Sequence, residues 1–313
     1  MSTELFNIRK YDDSIELSTL LELYNHMARY LDPGAIELTE EYASLLLSNT
    51  PDLSNYSLVF ENKQNEIIGF VLIMQFPLDK DTEIWYAQYG IIPKYFKSEL
   101  PGDLIEAILK LGIKLNIPEL YIQTTGELSA PFDNKLEILG FKPIHYYIFM
   151  SIDDLDLVSP PDIPQGIIIR RQKEITDNRS IVSVINKGFK DSFMWRDVKP
   201  SIWKRRQQSF KKSHIVEYAV AYDKEEVIGF IQSYFNPNKP NIGLMNTLSV
   251  LPNYRRRGIG SVLFATGVEF LRDKGCKTIN LQVDAKNEKA ARIYEKFGFY
   301  WKENSTIKTY KLR

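Results

Sequence analysis

The sequence predicts an α+β protein in which one fold occurs twice in tandem, and three observations carry that expectation. Short β-rich runs alternate with amphipathic helical runs along all 313 residues. Four landmarks recur at a drifting offset. Ile8-Arg9-Lys10 answers Ile169-Arg170-Arg171 at 161, and Ile68-Gly69-Phe70 answers Ile228-Gly229-Phe230 at 160. Pro93 answers Pro252 at 159, and Gly140-Phe141 answers Gly298-Phe299 at 158. Between the copies, residues 153–165 carry Pro160, Pro161 and Pro164, several acids and no hydrophobic period, which is the composition of a linker. The expected divisions are a first domain 1–152, a linker 153–165 and a second domain 166–313.

The elements follow in order. Phe6 to Lys10 reads as a strand, and a helix opens near Asp13 or Ser14 with Leu17, Leu20, Leu21, Tyr24 and Met27 on one face. A second amphipathic run starts at Thr39 and passes through Tyr42, Leu45 and Leu46. Strands are expected at Tyr56 to Phe60, Ile67 to Gln75 and Glu83 to Ile92. A helix follows Pro101-Gly102, then a strand at Leu120 to Thr124, a short helix at Pro131 to Leu139, and strands from Phe141 to Ile152. The order then restarts with a strand at Ile167 to Arg171 and helices at Thr176 to Phe189 and Pro200 to Lys211. Strands at Val216 to Tyr222, Val227 to Phe235 and Asn241 to Val250 come next. A helix from Ser261 ends at Gly275, a strand spans Thr278 to Val283, and Asn287 caps a last helix before two strands from Phe299 to Leu312. Each copy is thus strand, two helices, three strands, helix, strand, helix, two strands.

Composition bounds the function. Apolar content of 44% and aromatic content of 12% suit a globular core, and a formal net charge of zero supplies no bulk field toward nucleic acid or membrane. A single cysteine, Cys276, leaves no internal disulfide and suits a reducing compartment. Met1-Ser2-Thr3-Glu4 is no signal-peptide start and no apolar run reaches spanning length, so a cytoplasmic location is expected. His26, His145 and His214 are scattered, without metal-ligand spacing, so no metal is expected.

The chemistry points to Leu248-Ser249-Val250-Leu251-Pro252, followed by Arg255-Arg256-Arg257-Gly258-Ile259-Gly260-Ser261. A strand runs into a basic turn and then a helix start. The first amides of a helix lack partners inside it, and the macrodipole makes that end positive. Gly258 and Gly260 let an anion approach the backbone, so the stretch describes a phosphate cradle. A basic surface loop is one rival. A dinucleotide fingerprint is another, though Leu263 stands where its third glycine belongs.

Arg255-x-x-Gly258-x-Gly260 resembles the Arg/Gln-x-x-Gly-x-Gly/Ala signature of the Gcn5-related N-acetyltransferases (GNAT). Asn287-x-x-Ala290-x-x-x-Tyr294-x-x-x-Gly298-Phe299 is similar to that superfamily's downstream motif. The resemblance covers the second copy in motif and the first in layout only, as in a tandem member of mycothiol-synthase-like architecture. It implies two acyl-CoA N-acyltransferase folds, each a mixed, mostly antiparallel twisted sheet with helices on both faces. It implies acetyl-coenzyme A as cosubstrate, its pantetheine arm lying between two splayed strands against the backbone of Leu248, Ser249 and Val250. The pyrophosphate would rest on amides from Arg256 to Ser261, with the side chains of Arg255, Arg256 and Arg257 and the motif residue Asn287 nearby. Tyr294 would be the acid that protonates the departing thiolate, and a strand amide near Leu248 the oxyanion donor. From the helix pattern alone, Tyr294 serves equally well as a core aromatic.

The acceptor amine, with a free pKa near ~10.4, must lose a proton to attack. No acid lies in Asn241 to Val250, which leaves Glu217, Asp284 and Asp191 as relays, or ordered water. Cys276 reads as a small buried residue. The first copy departs where it matters: after Pro93 the arginine triplet is absent, Glu99 and Asp103 place negative charge where a pyrophosphate would bind, Pro101 removes an amide donor, and Leu136 stands in the place of Tyr294. It is expected to bind no coenzyme and to wall the acceptor site. Phe189 to Asp197 is either an acceptor pocket or a packed elbow. The expected activity is acetyl transfer from acetyl-coenzyme A to a small-molecule primary amine. A protein-directed acetyltransferase and a non-catalytic coenzyme-A sensor remain the alternatives.

Overall fold

The computed structural model describes residues 6–32, 37–47, 50, 52–75 and 84–313. Glu83 and the side chains of Tyr42 and Leu45, each assigned above, lie outside the described residues. The first copy runs β1 (Phe6–Lys10), α1 (Leu17–Leu31), α2 (Glu40–Leu47), α3 (Leu53–Tyr56), β2 (Ser57–Asn62), β3 (Ile67–Gln75), β4 (Ile84–Ile91), α4 (Leu100–Lys114), β5 (Glu119–Thr125), α5 (Ala130–Ile138) and β6 (Pro143–Ile152). The second runs β7 (Ile167–Gln172), α6 (Asn178–Phe189), α7 (Pro200–Phe210), β8 (Ile215–Asp223), β9 (Glu226–Phe235), β10 (Ile242–Val250), α8 (Ile259–Asp273), β11 (Thr278–Asp284), α9 (Glu288–Lys296), β12 (Tyr300–Trp301) and β13 (Ile307–Lys311). No described helix is long and apolar enough to cross a membrane.

The duplication is visible element by element. Helices α4 and α8 have 15 residues each at an offset of 159, and β5 and β11 have seven at the same offset. Helices α5 and α9 have nine each at 158. A further matched pair escapes the sequence reading. On α1, Asn25 donates to the Leu38 carbonyl and accepts from the Leu38 amide, both at 2.9 Å. On α6, Asn186 does the same for Val198 at 3.1 and 3.0 Å. One amide side chain thus satisfies both polar groups of a backbone unit in the segment after each first helix, which holds that segment to the helix.

The chain divides into two compact units, but not at the expected boundaries. One is Met1–Tyr146 with Asn304–Arg313, the other Tyr147–Glu303. In the first unit the strand order is β1-β2-β3-β4-β5-β13, and in the second β6-β11-β10-β9-β8-β7, with β12 on β6. The last strand of the chain, β13, pairs antiparallel with β5 through Ile307↔Thr125 to Lys311↔Tyr121. Strand β6 pairs antiparallel with β11 through Ile279↔Ile152 to Asp284↔Tyr147. Each copy therefore surrenders its final strand to the other unit. A ladder partner is chosen by edge complementarity over long range, which local periodicity does not encode. The paired strands expected from Phe141 to Ile152 are in fact the one ten-residue strand β6.

Only part of 153–165 is a linker. Leu155 and Val158 are buried in the core of the second unit. Asp153 accepts from the hydroxyls of Thr278 at 2.6 Å and Tyr300 at 2.7 Å.

Both units are α+β with mostly antiparallel sheets; β4–β5 and β10–β11 are parallel. The second core gathers Phe230, Ile231, Leu263, Phe264 and Ile279, each nearly or wholly buried. A buried aliphatic or aromatic side chain contributes about 1.5–3 kcal/mol, so these cores fix α8 firmly on its sheet. Gly267 of α8 permits the close approach: a Cβ there would meet Ser233 Oγ and Met245 Cε, the latter at 2.7 Å. That contact also shows that Ser233 and Met245 point to the α8 face.

Candidate active site

Strands β10 and β11 are paired only through Ile242↔Thr278, Gly243↔Ile279, Leu244↔Asn280 and Met245↔Leu281. Beyond Met245 the two part, so the far half of β10 has its ladder on one side only. The parting coincides with an irregularity in β10. Asn246 stands opposite Gln232 and Ser249 opposite Phe230, which places one extra residue on β10. Thr247 carries it, at φ +57°. A β-branched residue in the left-handed region costs about 1–2 kcal/mol, and the bulge bends its strand away from a neighbour.

The bulge also reverses which face each residue presents. Asn246 lies on the face opposite α8, as its partner Gln232 does. After the bulge that face takes Ser249, whose buried hydroxyl donates to the Val184 carbonyl of α6 at 2.8 Å. The Ser249 side chain is thus committed to packing. The Leu251 amide donates to the Ile228 carbonyl at 2.9 Å. By strand alternation the polar backbone groups of Ser249 also face β9, while those of Leu248 and Val250 face the divergence.

The basic turn sorts its three arginines. Arg255 donates from Nε to the Val250 carbonyl at 3.1 Å and from Nη2 to the Gly188 carbonyl of α6 at 2.8 Å. It braces the turn. Arg257 lies over the Tyr254 ring at 5.1 Å, and the Tyr254 hydroxyl reaches Asp223 and Glu226, each at 3.0 Å. These carboxylates push the Tyr254 phenol up to about 12. Arg256 is exposed and makes no hydrogen bond or ion pair among the described residues.

Helix α8 begins at Ile259, two residues earlier than the sequence pattern suggests, with Gly258 as its cap at φ +84°. The Ser261 and Val262 amides donate to the Gly258 carbonyl at 3.0 and 3.1 Å. Ser261 is therefore not a free donor, contrary to expectation. The amides of residues 256–260 donate to nothing among the described residues. Unspent N–H groups at a helix start are of the kind that can hold an anion. A Cβ on Gly260 would meet only Val250 Cγ2, at 3.8 Å, so the protein leaves room above that residue.

Tyr294 is buried on α9, its ring 5.0 Å from Phe264 and 6.3 Å from Phe299. Its hydroxyl makes no hydrogen bond among the described residues. Burial pushes the phenol up to about 12, so at neutral pH it holds a proton that it can give. Asn287 caps α9 by accepting from the Ala290 amide at 3.2 Å, which occupies its Oδ1. Of the relays, Glu217 is ruled out by placement. It is buried in an ion pair with Arg171, which also reaches Asp273 at 3.3 Å. Glu217 pairs across from Ser233 and so lies on the α8 face. Asp191 is exposed, just after the end of α6. Asp284 ends β11 on the diverging side.

The aromatic segment after α6 is an elbow. Phe189 and Trp195 stack at 5.0 Å and both pack on the core. A polar group that sequence reasoning missed lies under α7. The Tyr218 hydroxyl donates to Gln207 at 2.8 Å, and Gln207 reaches buried Gln232 at 3.4 Å. Its only sequence signal is Gln207 breaking an otherwise aromatic stripe, Trp203 and Phe210.

The first unit repeats the divergence without the bulge. Strands β4 and β5 pair only from Ile84↔Glu119 to Ala87↔Ile122, yet β3 and β4 stay in unbroken register. Past the last pair, the Tyr89 hydroxyl donates to the Gln123 carbonyl of β5 at 3.2 Å. Its ring lies 4.5 Å from Phe132 on α5. The side chain thus bridges the parted strands, and Leu136 is wholly buried in the position matching Tyr294.

Comparisons with known proteins give the family and the fold that this chain resembles. Residues 183–299 match the model described as "Acetyltransferase (GNAT) family". The mycothiol acetyltransferase of Rhodococcus erythropolis (strain PR4 / NBRC 100887) is 27% identical over 280 residues, covering 83% of this chain and 92% of that one. That of Rhodococcus jostii (strain RHA1) is 26% identical over 227 residues, covering 68% and 70%. Among solved structures, a tandem GNAT protein from the clavulanic acid biosynthesis pathway superposes with a TM-score of 0.75 at 13% identity, covering 98% of this chain and 99% of that one. A GCN5-related N-acetyltransferase from Sphaerobacter thermophilus gives 0.67 at 17%, covering 99% and 96%. At such identities the structures speak for the fold alone.

Proposed function

With the second unit an acetyltransferase domain of the GNAT family, we propose that this chain moves an acetyl group from acetyl-coenzyme A to a primary amine of a small molecule, by direct attack in a ternary complex. The observation that carries the reading is the row of unspent amides at 256–260, placed beside a bulged strand that leaves its neighbour. A diphosphate fits the amides, the free Arg256 guanidinium complements its charge, and the missing Cβ of Gly260 leaves space for it. The extended pantetheine arm fits the open edge of β10, where the Leu248 backbone groups and the Val250 amide face the divergence, the Val250 carbonyl being held by Arg255. An amide there stabilises the oxyanion as the amine adds.

Tyr294 then gives its proton to sulfur as the C–S bond breaks, and the ammonium proton of the adduct restores the phenol through water. A small-molecule acceptor is supported by the relatives, whose names specify mycothiol. The first unit is a closed copy that binds no coenzyme, and the lone buried Cys276 is in keeping with a cytoplasmic enzyme.

The test is a screen of primary amines against wild type, following thiol release from acetyl-coenzyme A, with Tyr294→Phe in parallel. Release with one class of amine, lost in the variant, supports the proposal. Coenzyme binding without release for any amine would favour a sensor instead.

A further inference from the structure

The proton acceptor for the incoming amine is absent from β10, and the sheet's parity supplies a candidate. Gln232, Asn246 and Tyr218 share one row: Tyr218 pairs with Gln232, and Gln232 with Asn246. Gln207 of α7 contacts that row, whereas Met245 and Ser233 face α8, so the row lies on the α7 face. Leu244 pairs with Asn280 and Met245 with Leu281, which places Asn280, Gln282 and Asp284 on the same α7 face. The Ser151 hydroxyl on β6 meets Asn280 there, and Tyr147 pairs with Asp284. Across strand positions 216–220, 230–234, 242–246 and 280–284, the side chains on this face include one carboxylate, Asp284.

Tyr294, by contrast, packs on Phe264 of α8, on the other face. The acid and this carboxylate therefore flank the divergence from opposite sides. Asp284 is held in place: its Oδ1 accepts from the Lys286 amide at 2.8 Å, and its negative charge adds to burial in pushing the Tyr147 phenol up to about 12. Asn246, exposed and unpaired among the described residues, adds a polar group on the same face.

Resting on the acetyl-transfer reading, we infer that the amine enters over the α7 face and gives its proton to Asp284 before attack. The ammonium form is drawn to the carboxylate. Its N–H bond breaks toward Asp284, which passes the proton to solvent. The freed lone pair forms the C–N bond, the C–S pair goes to sulfur, and Tyr294 supplies the thiol proton. One proton is released per acetyl transferred. The acceptor class is an aliphatic amine that is protonated at neutral pH and carries a hydrogen-bonding group for Asn246.

The experiment compares two probes near neutral pH: ethanolamine, which arrives as an ammonium ion, and hydroxylamine, which arrives neutral, each corrected for uncatalysed thioester cleavage. In Asp284→Asn, kcat/KM for ethanolamine falls roughly 10²–10⁴-fold, with at least tenfold less loss for hydroxylamine. Asp284→Glu recovers part of the ethanolamine rate. The asparagine keeps an oxygen for the Lys286 amide, and unchanged thermal midpoint and acetyl-coenzyme A affinity show that the site is intact. Equal losses for both probes, no loss for ethanolamine, or a wild type active on hydroxylamine alone would each overturn the inference. A wild type silent with both would take down the acetyl-transfer reading itself.

Discussion

Replacing Gly260 tests the cradle, because stability and ligand affinity should move in opposite directions. The glycine sits in the first turn of α8 without a positive φ, and an added Cβ meets Val250 Cγ2 at an ordinary 3.8 Å. Gly260→Ala therefore introduces no clash, and the loss of backbone freedom in the unfolded chain stabilises by about 0.4–1 kcal/mol. Gly260→Asp adds a carboxylate at the positive end of a helix, a favourable interaction of about 0.3–1 kcal/mol. Both variants should unfold at or slightly above the wild-type temperature.

Binding goes the other way. The Cβ occupies the space through which a phosphate reaches the amides, and the aspartate adds like charge. A hydrogen bond to a charged group is worth about 1.5–3 kcal/mol. Losing two of them weakens acetyl-coenzyme A roughly 10²–10⁴-fold at about 1.4 kcal/mol per decade. Titration calorimetry reads the affinity and scanning calorimetry the stability. A Gly260→Asp variant that binds within about threefold of wild type would refute the cradle. One that lost both properties together would show that Gly260 serves the fold.

Arg255→Ala and Arg256→Ala should separate. The first removes two bonds to backbone carbonyls and lowers stability by about 1 kcal/mol; the second leaves the melting temperature unchanged and weakens acetyl-coenzyme A. Tyr294→Phe should lower kcat roughly 10²-fold with coenzyme affinity intact, and a wild-type rate would end its assignment as the acid. Because burial holds that phenol up at about 12, its proton is present throughout the neutral range and is lost only as pH rises through that value. Transfer to hydroxylamine should accordingly show no downward limb before about pH 10; a limb centred near pH 8 would point to another acid. Calorimetry should find one acetyl-coenzyme A per chain, since Tyr89 bridges the parted strands of the first unit. Two equal sites would contradict that reading.

Much of the site was legible because its signals are local. A proline stopping a strand, a glycine at the left-handed cap and the capping Asn287 act within a few residues, and the turn they form needs no distant partner. Where a distant partner decides, local sequence carries no signal. Ser261 resembled a free donor until the helix was seen to begin at Ile259. Three adjacent arginines looked equivalent until Arg255 met Gly188 from α6 and Arg257 met Tyr254.

By itself, the sequence determined the duplicated order of elements and the composition of the basic turn, since periodicity and residue type are properties of the chain. The tertiary structure alone decided that β6 and β13 trade places. It decided too that a left-handed Thr247 turns β10 over, and that Asp284 shares a face with Asn246 while Glu217 does not. Strand pairing and parity are fixed by edges that meet from far along the chain, and one extra residue in a ladder reverses every side chain after it.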